Sequence, residues 1–327
     1  MKILKSLDAK RWEAFLGQVP EANVYQTPEM RQVFEATMNY EPGLITLEDG
    51  GDIAALMLAC IIKEGGGLKG SFSSRAIVTG GPLSKNHGVK ELVQAFDKEM
   101  SPKSLYAQIR NLGDMSSFRE TFQALGYGFE EHLNFVHDLT RPTAEIWAGL
   151  SDGRRKGIKK AESRGMRFID GGREDIETFY ALVQNTYEEV GIPLADRSMF
   201  DSAWRVMAPR GMARLFLAVL QDQILAGRMV LCYNGMIHDW YAGSMPTAKS
   251  QNANEFLAWS VMKWGAQGGY RLFDFGGAGK PGEKYGPGEF KRRFGGILTN
   301  YGRFQKVYHP VKHFVGRKGY EVIRRIG

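Results

Sequence analysis

The chain has 327 residues, 43% of them hydrophobic and 24% charged, with a net charge of +7 at pH 7, which is the balance of a soluble globular protein long enough for two cores. Its two cysteines, Cys60 and Cys232, sit in apolar runs, which excludes a disulfide framework and a cysteine metal site. The N-terminus has no apolar leader core, and the longest apolar run, 53–62, is too short to cross a bilayer, so a cytoplasmic enzyme is expected.

In chain order, Leu7, Trp12, Phe15 and Leu16 share one face of a helix over 6–18. Thr27-Pro28-Glu29 reads as the start of another, with Thr27 as N-cap and Pro28 in the first helical position. The runs 44–47 and 53–62 flank a turn at 48–52 and predict a strand pair. A Gly-rich loop covers 64–70. A helix over 90–100, a strand over 105–109, a helix over 117–125 and a strand over 135–139 follow. Gln123-Ala-Leu-Gly126-Tyr-Gly128 has the spacing of a pyrophosphate cradle. However, it follows a helix and precedes a strand, so Gly126 is read as a helix C-cap.

Arg141-Pro142-Thr143 begins the link to a second unit, which places a first domain at 1–148 and a second at 149–304. Helices are predicted over 144–150, 154–164 and 174–189. Strands are predicted over 215–220, 225–233 and 240–243, with a helix over 254–267 capped by Asn254. In the basic helix, Arg155 and Lys159, and Lys156 and Lys160, stand at i,i+4. That stripe of like charge either meets phosphate or is a solvated face. Tyr241 and Ser244 close a strand of small residues and open a polar loop. His238-Asp239 is not a dyad, because neighbours on a strand face opposite sides.

The apolar run 272–275 reads as a buried strand that stops at Gly276-Gly277 and releases a loop of about a dozen residues before Phe290-Lys291-Arg292-Arg293-Phe294. Gly276, Gly277 and Tyr285 are candidate substrate or phosphate contacts there. Asp274, at the strand end, either handles a proton or caps the loop by accepting backbone hydrogen bonds. The charge is uneven: residues 1–150 carry 15 Lys and Arg against 19 Asp and Glu (−4), and 151–327 carry 28 against 17 (+11). An anionic partner for the second half is expected. At a constant offset of 172 (226 − 54), Ala54, Met57 and Cys60 match Ala226, Met229 and Cys232. Phe118 and Phe122 match Phe290 and Phe294 at the same offset, which suggests a tandem duplication. The basic tail 309–325 mixes Val311, Phe314 and Val315 with cations. It either docks on the body or lies on an anionic membrane.

The segments FDFGG and FKRRFGG, RRKGIKKAESRG at 154–165, and DWYAGSMPTAKSQNANEFLAWSVMKWGAQGG at 239–269 carry a resemblance to the Fem (FemAB-like) aminoacyltransferases of the peptidoglycan bridge, within the wider GNAT acyltransferase group. VYQTPEM near the N-terminus fits more loosely. The resemblance implies an α/β fold of two tandem GNAT-like domains, mixed sheets flanked by helices, with the tail 305–327 folding back to complete the first. It implies acyl or aminoacyl transfer to an amino group with no tightly bound cofactor and no metal, from aminoacyl-tRNA onto a nucleotide- or lipid-linked cell-wall-type peptide or sugar precursor. An acyl-CoA- or acyl-carrier-dependent N-acyltransferase is the second reading, and a non-catalytic tRNA- or membrane-binding module the third. By resemblance, Lys291 of the Phe290-Lys291 pair binds the acyl group as it transfers, with Phe290 positioning it. An ammonium there suits the oxyanion of ester aminolysis. The chain departs from the family at Phe34, where members using the soluble precursor carry a lysine, with Arg31 nearby, and it lacks a helical arm over 180–254.

Overall fold

A computed structural model describes residues 1–64, 72–85 and 87–315. Its strands in the first half are β1 (Lys2–Leu4), β2 (Tyr40–Asp49), β3 (Asp52–Ile62), β4 (Arg75–Thr79), β5 (Leu83–Ser84), β6 (Tyr106–Arg110) and β7 (Gly128–Glu130). There follow β8 (Leu133–Asp138), β9 (Arg167–Asp170), β10 (Ala213–Leu220), β11 (Gln223–Tyr233), β12 (Met236–Ser244), β13 (Leu272–Gly279), β14 (Ile297–Thr299) and β15 (Arg303–Val307). They form two compact units, residues 1–131 with the chain from Tyr301 onward, and residues 132–300.

Among the described residues, the first unit's sheet runs β1-β2-β3-β4-β6-β15-β7, with β5 beside β3. β3 is the apolar run of the sequence, buried on both faces, and such a strand belongs at a sheet's centre. The helix Val89–Met100 carries Val89, Leu92, Val93, Phe96 and Met100 on one stripe. It crosses between the parallel strands β4 and β6 and packs on Met57, Ala59, Ala76, Val78 and Ile109. Each large side chain so buried contributes roughly 1.5–3 kcal/mol. Helix starts follow their caps. Asp8 accepts from the Arg11 N–H at 3.0 Å, and Thr27 Oγ1 accepts from the Met30 N–H at 3.2 Å. Gly126 ends the helix Arg119–Ala124: its own N–H donates to Gln123 O and that of Tyr127 to Phe122 O, a Schellman closure rather than a phosphate cradle.

The second unit's sheet runs β9-β10-β11-β12-β13-β8-β14. The helices Thr143–Ala148, Asp152–Ser163 and Ala253–Gln267 cover one face, over Phe216, Ala226, Val230, Ile237, Phe273 and Phe275. The helix Ile176–Val190 lies on the other, so close that a Cβ at Gly243 would stand 2.3 Å from the Val183 nitrogen.

Set side by side, the two strand orders are the same. β1 to β4 answer β9 to β12, β6 answers β13 and β7 answers β14. The remaining place, between the last two strands, is filled by β15 in the first sheet and β8 in the second. Each half of the chain thus gives its final strand to the other half's sheet. This corrects the domain limits expected at 148 and 149. β8 follows β7 by two residues, yet it hydrogen-bonds to β13 and β14, and the division falls at 131/132.

The repeat register is also corrected. The hairpin turns close at Asp49–Asp52 and Leu220–Gln223, and the bulges fall at Leu47/Glu48 and Ala218/Val219, an offset of 171 (220 − 49) rather than 172. Ala54, Met57 and Cys60 therefore correspond to Leu225, Arg228 and Leu231, and their match to Ala226, Met229 and Cys232 is one residue out of phase, on the wrong face of the strand.

Candidate functional site

The two sheets differ at their parallel strand pairs. In the first unit β4 and β6 stay paired along their whole length, Arg75 with Tyr106 through Thr79 with Arg110. In the second, β12 and β13 pair only from Met236 with Leu272 to His238 with Asp274. Beyond that point β12 continues against β11 and β13 against β8, with register breaks at Asp274/Gly277 and Gly277/Gly279. The sheet opens between them, and chemistry-bearing side chains of this unit gather at the opening.

The loop expected after Gly276 is shorter than its composition implied. β13 runs on through Gly276-Gly277 to Gly279, since a glycine strand can still donate and accept along β8. The helix Gly286–Arg292 begins soon after, with Pro287 in its first turn, the Tyr285 carbonyl accepting the Glu289 N–H and a Glu289–Arg292 ion pair. Gly288 rests on the strand, where a Cβ would stand 2.5 Å from Ala278 O.

This helix turns Lys291 back into the opening. Its Nζ donates to Gly277 O at 2.9 Å and lies 5.6 Å from the centre of the Phe275 ring. A Cβ on Gly276 would come within 3.4 Å of that nitrogen and 3.7 Å of the Asp239 carbonyl. Burial pushes the Lys291 pKa down to about 8; Asp239 and Asp274 pull it up, and Arg228 adds to the lowering. Arg228 and Asp239 form a buried ion pair on the neighbouring strands, with the guanidinium 5.6 Å from the Phe275 ring. Asp239 Oδ1 and Arg228 Nε remain without hydrogen-bond partners.

Asp274 is 1% exposed. It accepts from Asn134 Nδ2 at 2.7 Å and from the Gly276 N–H at 2.8 Å, and lies 3.1 Å from His238 Nδ1. Burial alone would raise its pKa, but His238, Asn134 and the Gly276 N–H outweigh it and hold the carboxyl below the usual range. Asp274 thus accepts a backbone hydrogen bond from the first of the two glycines and also pairs with a histidine. His238 pairs with Asp274, the residue beside it on the adjacent parallel strand, while Asp239 pairs with Arg228.

Arg154 fastens the helix that carries Lys291. It is buried, forms an ion pair with Glu255, donates to Phe290 O at 3.2 Å, and stacks 4.3 Å from the Phe290 ring centre and 4.9 Å from that of Phe294. Phe290 and Phe294 close on Phe275. The Gly-Gly pair that ends the motif is packing. A Cβ on Gly295 would stand 2.6 Å from Gly149 O, and one on Gly296 2.8 Å from the His137 ring.

On the basic helix, Lys156, Lys159 and Lys160 are exposed. Arg155 departs from that stripe: it donates to Ala148 O and Leu150 O and pairs with Asp152, tying the helix to the preceding turn. Tyr241 packs among Tyr187, Phe200 and Trp240. Ser244 is held through its N–H by Thr186 and through its Oγ by Asn254 Nδ2 at 2.8 Å. Asn254 is therefore not the cap. Asn252, with φ of 56°, holds the N-cap place before Ala253. Tyr285 lies over Gly279 at the start of the Lys291 helix.

Sequence reasoning passed over Arg154, Arg228, Asn134 and the pairing of His238. Arg154 alone left a signal, since it shares the 154/158/161 spacing with buried Ile158 and Ala161. The others meet across strands that only the fold brings together.

The Acetyltransferase (GNAT) domain model matches residues 152–292, and the FemAB family model matches residues 90–205. No curated protein matches the chain. Among solved structures, FemX is similar with a TM-score of 0.73 at 16% identity, over 97% of this chain and 100% of that one. L-PGS from Bacillus licheniformis gives 0.58 at 16%, over 97% and 98%. A tandem GNAT protein from the clavulanic acid biosynthesis pathway gives 0.59 at 9%, over 94% and 98%. At these identities the likeness is one of fold.

Proposed function

We propose that this chain is an acyltransferase of the FemAB and GNAT type, and that it transfers an aminoacyl group from aminoacyl-tRNA to an amino group of a cell-wall-type peptide or sugar precursor. The observation that carries this reading is the enclosed Lys291 ammonium at the opening between β12 and β13. A neutral acceptor amine adds to the ester carbonyl, forming the C–N bond and a tetrahedral oxyanion. Lys291 holds that negative oxygen in a site where little water competes. The C–O bond then breaks, the RNA hydroxyl leaves with a proton, and the nitrogen gives one up. Phe290 and Phe275 keep the ammonium in place, and Asp274 with His238 and Asn134 fixes the strand ends around it. Gly276, Gly277 and Tyr285 border the opening, where the acyl group sits.

The acceptor is a nucleotide- or lipid-linked precursor. Exposed Val311, Phe314 and Val315 suit a lipid-bearing surface, while the basic residues of 316–327 lie outside the described residues. No described helix is long and apolar enough to cross a membrane. Acyl-CoA is the second donor reading, supported by the GNAT domain match over 152–292.

The test is single-turnover transfer from charged tRNA and from acyl-CoA to a peptidyl or amino-sugar acceptor, with wild type and Lys291→Met. Transfer from charged tRNA in the wild type, slowed roughly 10²–10³-fold in the variant, is expected. Transfer from acyl-CoA alone would overturn the tRNA reading.

A further inference from the structure

Away from Lys291, at the far edge of the second unit's sheet, a cavity of about 480 Å³ is lined by Trp204, Pro209, Arg205, Arg214 and Asp170, with small residues between them. The volume is that of a site for a small organic group. It is built where the helix Arg197–Met207 ends in the short turn Ala208–Arg210 and β10 begins. The helix spends its apolar face, Met199, Phe200, Ala203 and Met207, on the core. Trp204 is left half-buried at the rim, and its ring stacks on no other aromatic ring among the described residues. Arg214 is steered by Asp170 at 3.2 Å, whereas exposed Arg205 has no ion-pair partner among the described residues. Arg197 and Arg210 belong to the same stretch, so 197–214 holds four arginines against the single acid Asp201.

A pocket lined by an indole, a proline and two arginines is chemistry for a flat heterocycle joined to a phosphate. We propose that this pocket takes one unstacked nucleotide of the RNA that carries the aminoacyl donor, with the base on Trp204 and Pro209 and its phosphate on Arg205 and Arg214. The inference rests on the tRNA reading above and extends it by placing an RNA contact on the opposite edge of the β10–β13 strands from the Lys291 opening. The nucleotide of a coenzyme A offers the same chemistry, so the experiment separates the two sources.

Binding of uncharged tRNA, of a short single-stranded RNA and of coenzyme A is measured by fluorescence anisotropy or calorimetry across a salt series. The proteins are wild type, Trp204→Ala, Trp204→Tyr and Arg205→Glu. Trp204→Ala is expected to weaken both RNAs about tenfold or more, and Trp204→Tyr to restore most of the loss. Arg205→Glu, at an exposed position that leaves folding intact, is expected to weaken them and to lower the salt slope by about one. Wild-type RNA affinity in Trp204→Ala and Arg205→Glu overturns the pocket while leaving the tRNA reading standing. A wild-type protein that binds no tRNA at low salt overturns that reading itself. Loss of coenzyme A binding with RNA binding unchanged assigns the pocket to the coenzyme and overturns the RNA contact.

Discussion

Lys291 illustrates how a residue's surroundings decide what its chemistry can be. A lysine in water loses its charge only above about pH 10, but burial brings this one's pKa to about 8. In the proposed reaction the ammonium is the working form. Activity carried by it is therefore full below that value and falls as pH rises through about 8. The pH profile of kcat/KM should show this falling limb, and Lys291→Arg, which stays protonated, should remove it from whatever activity survives. Asp274 favours the charged lysine, so Asp274→Asn should move the limb to lower pH; an unmoved limb would mean that another group titrates. The Phe290-Lys291 pair was legible in the sequence through its resemblance to the Phe-Lys pair of the Fem family, in a motif contiguous in the chain. Arg228, Asp239 and His238 were not legible, because their partners lie across strand pairings that no spacing encodes.

At the scale of elements, strands and helices with a long apolar signature were read within a few residues: β3, β11, the helix Val89–Met100 and the helix Ala253–Gln267. Those missed are short or polar. β14 and β15 have three and five residues, and the helix Arg197–Met207 follows Pro193 and carries charge on its outer face. The glycine-rich continuation of β13 was read as loop because glycine is a poor strand former, and its strand state is imposed by β8. Arg154 joins three of these elements. Replacing it with methionine leaves Glu255 partly buried without its cation, and should cost about 3–5 kcal/mol in urea unfolding. Arg154→Met with Glu255→Gln should recover part of that loss; purely additive losses would show that the pair is not coupled. Gly295→Ala meets both a left-handed backbone, φ of 78°, and the Gly149 carbonyl. It should destabilise by about 1–3 kcal/mol, read from the same denaturation curves, and an unchanged midpoint would contradict the packing role.

For the molecule as a whole, the two-unit plan was visible in length, repeated strand pairs and opposite charge of the halves, but its boundary was not. Chain order assigns β8 to the first half, and nothing local in Leu133–Asp138 says which sheet will accept it. The same is true of β15. Its Phe304 is fully buried and stacks 4.2 Å from Phe122, while Lys306, Tyr308 and Tyr127 converge on Asp97, each at 2.6 Å. Phe304→Ala should cost about 3–5 kcal/mol. A chain ending at Asn300 should lose cooperative unfolding of its first unit by circular dichroism, and a sharp native-like transition would argue against the strand's role. The reciprocal gift of final strands also has a consequence in time. As the protein emerges from the ribosome, residues 1–131 are complete but their sheet has a gap, which only Arg303–Val307 can fill. At roughly 5–20 residues per second, the first half must wait on the order of ten seconds or more with β6 and β7 unjoined. Nascent chains of this protein should be clients for chaperones that shield open sheet edges until Arg303–Val307 has emerged.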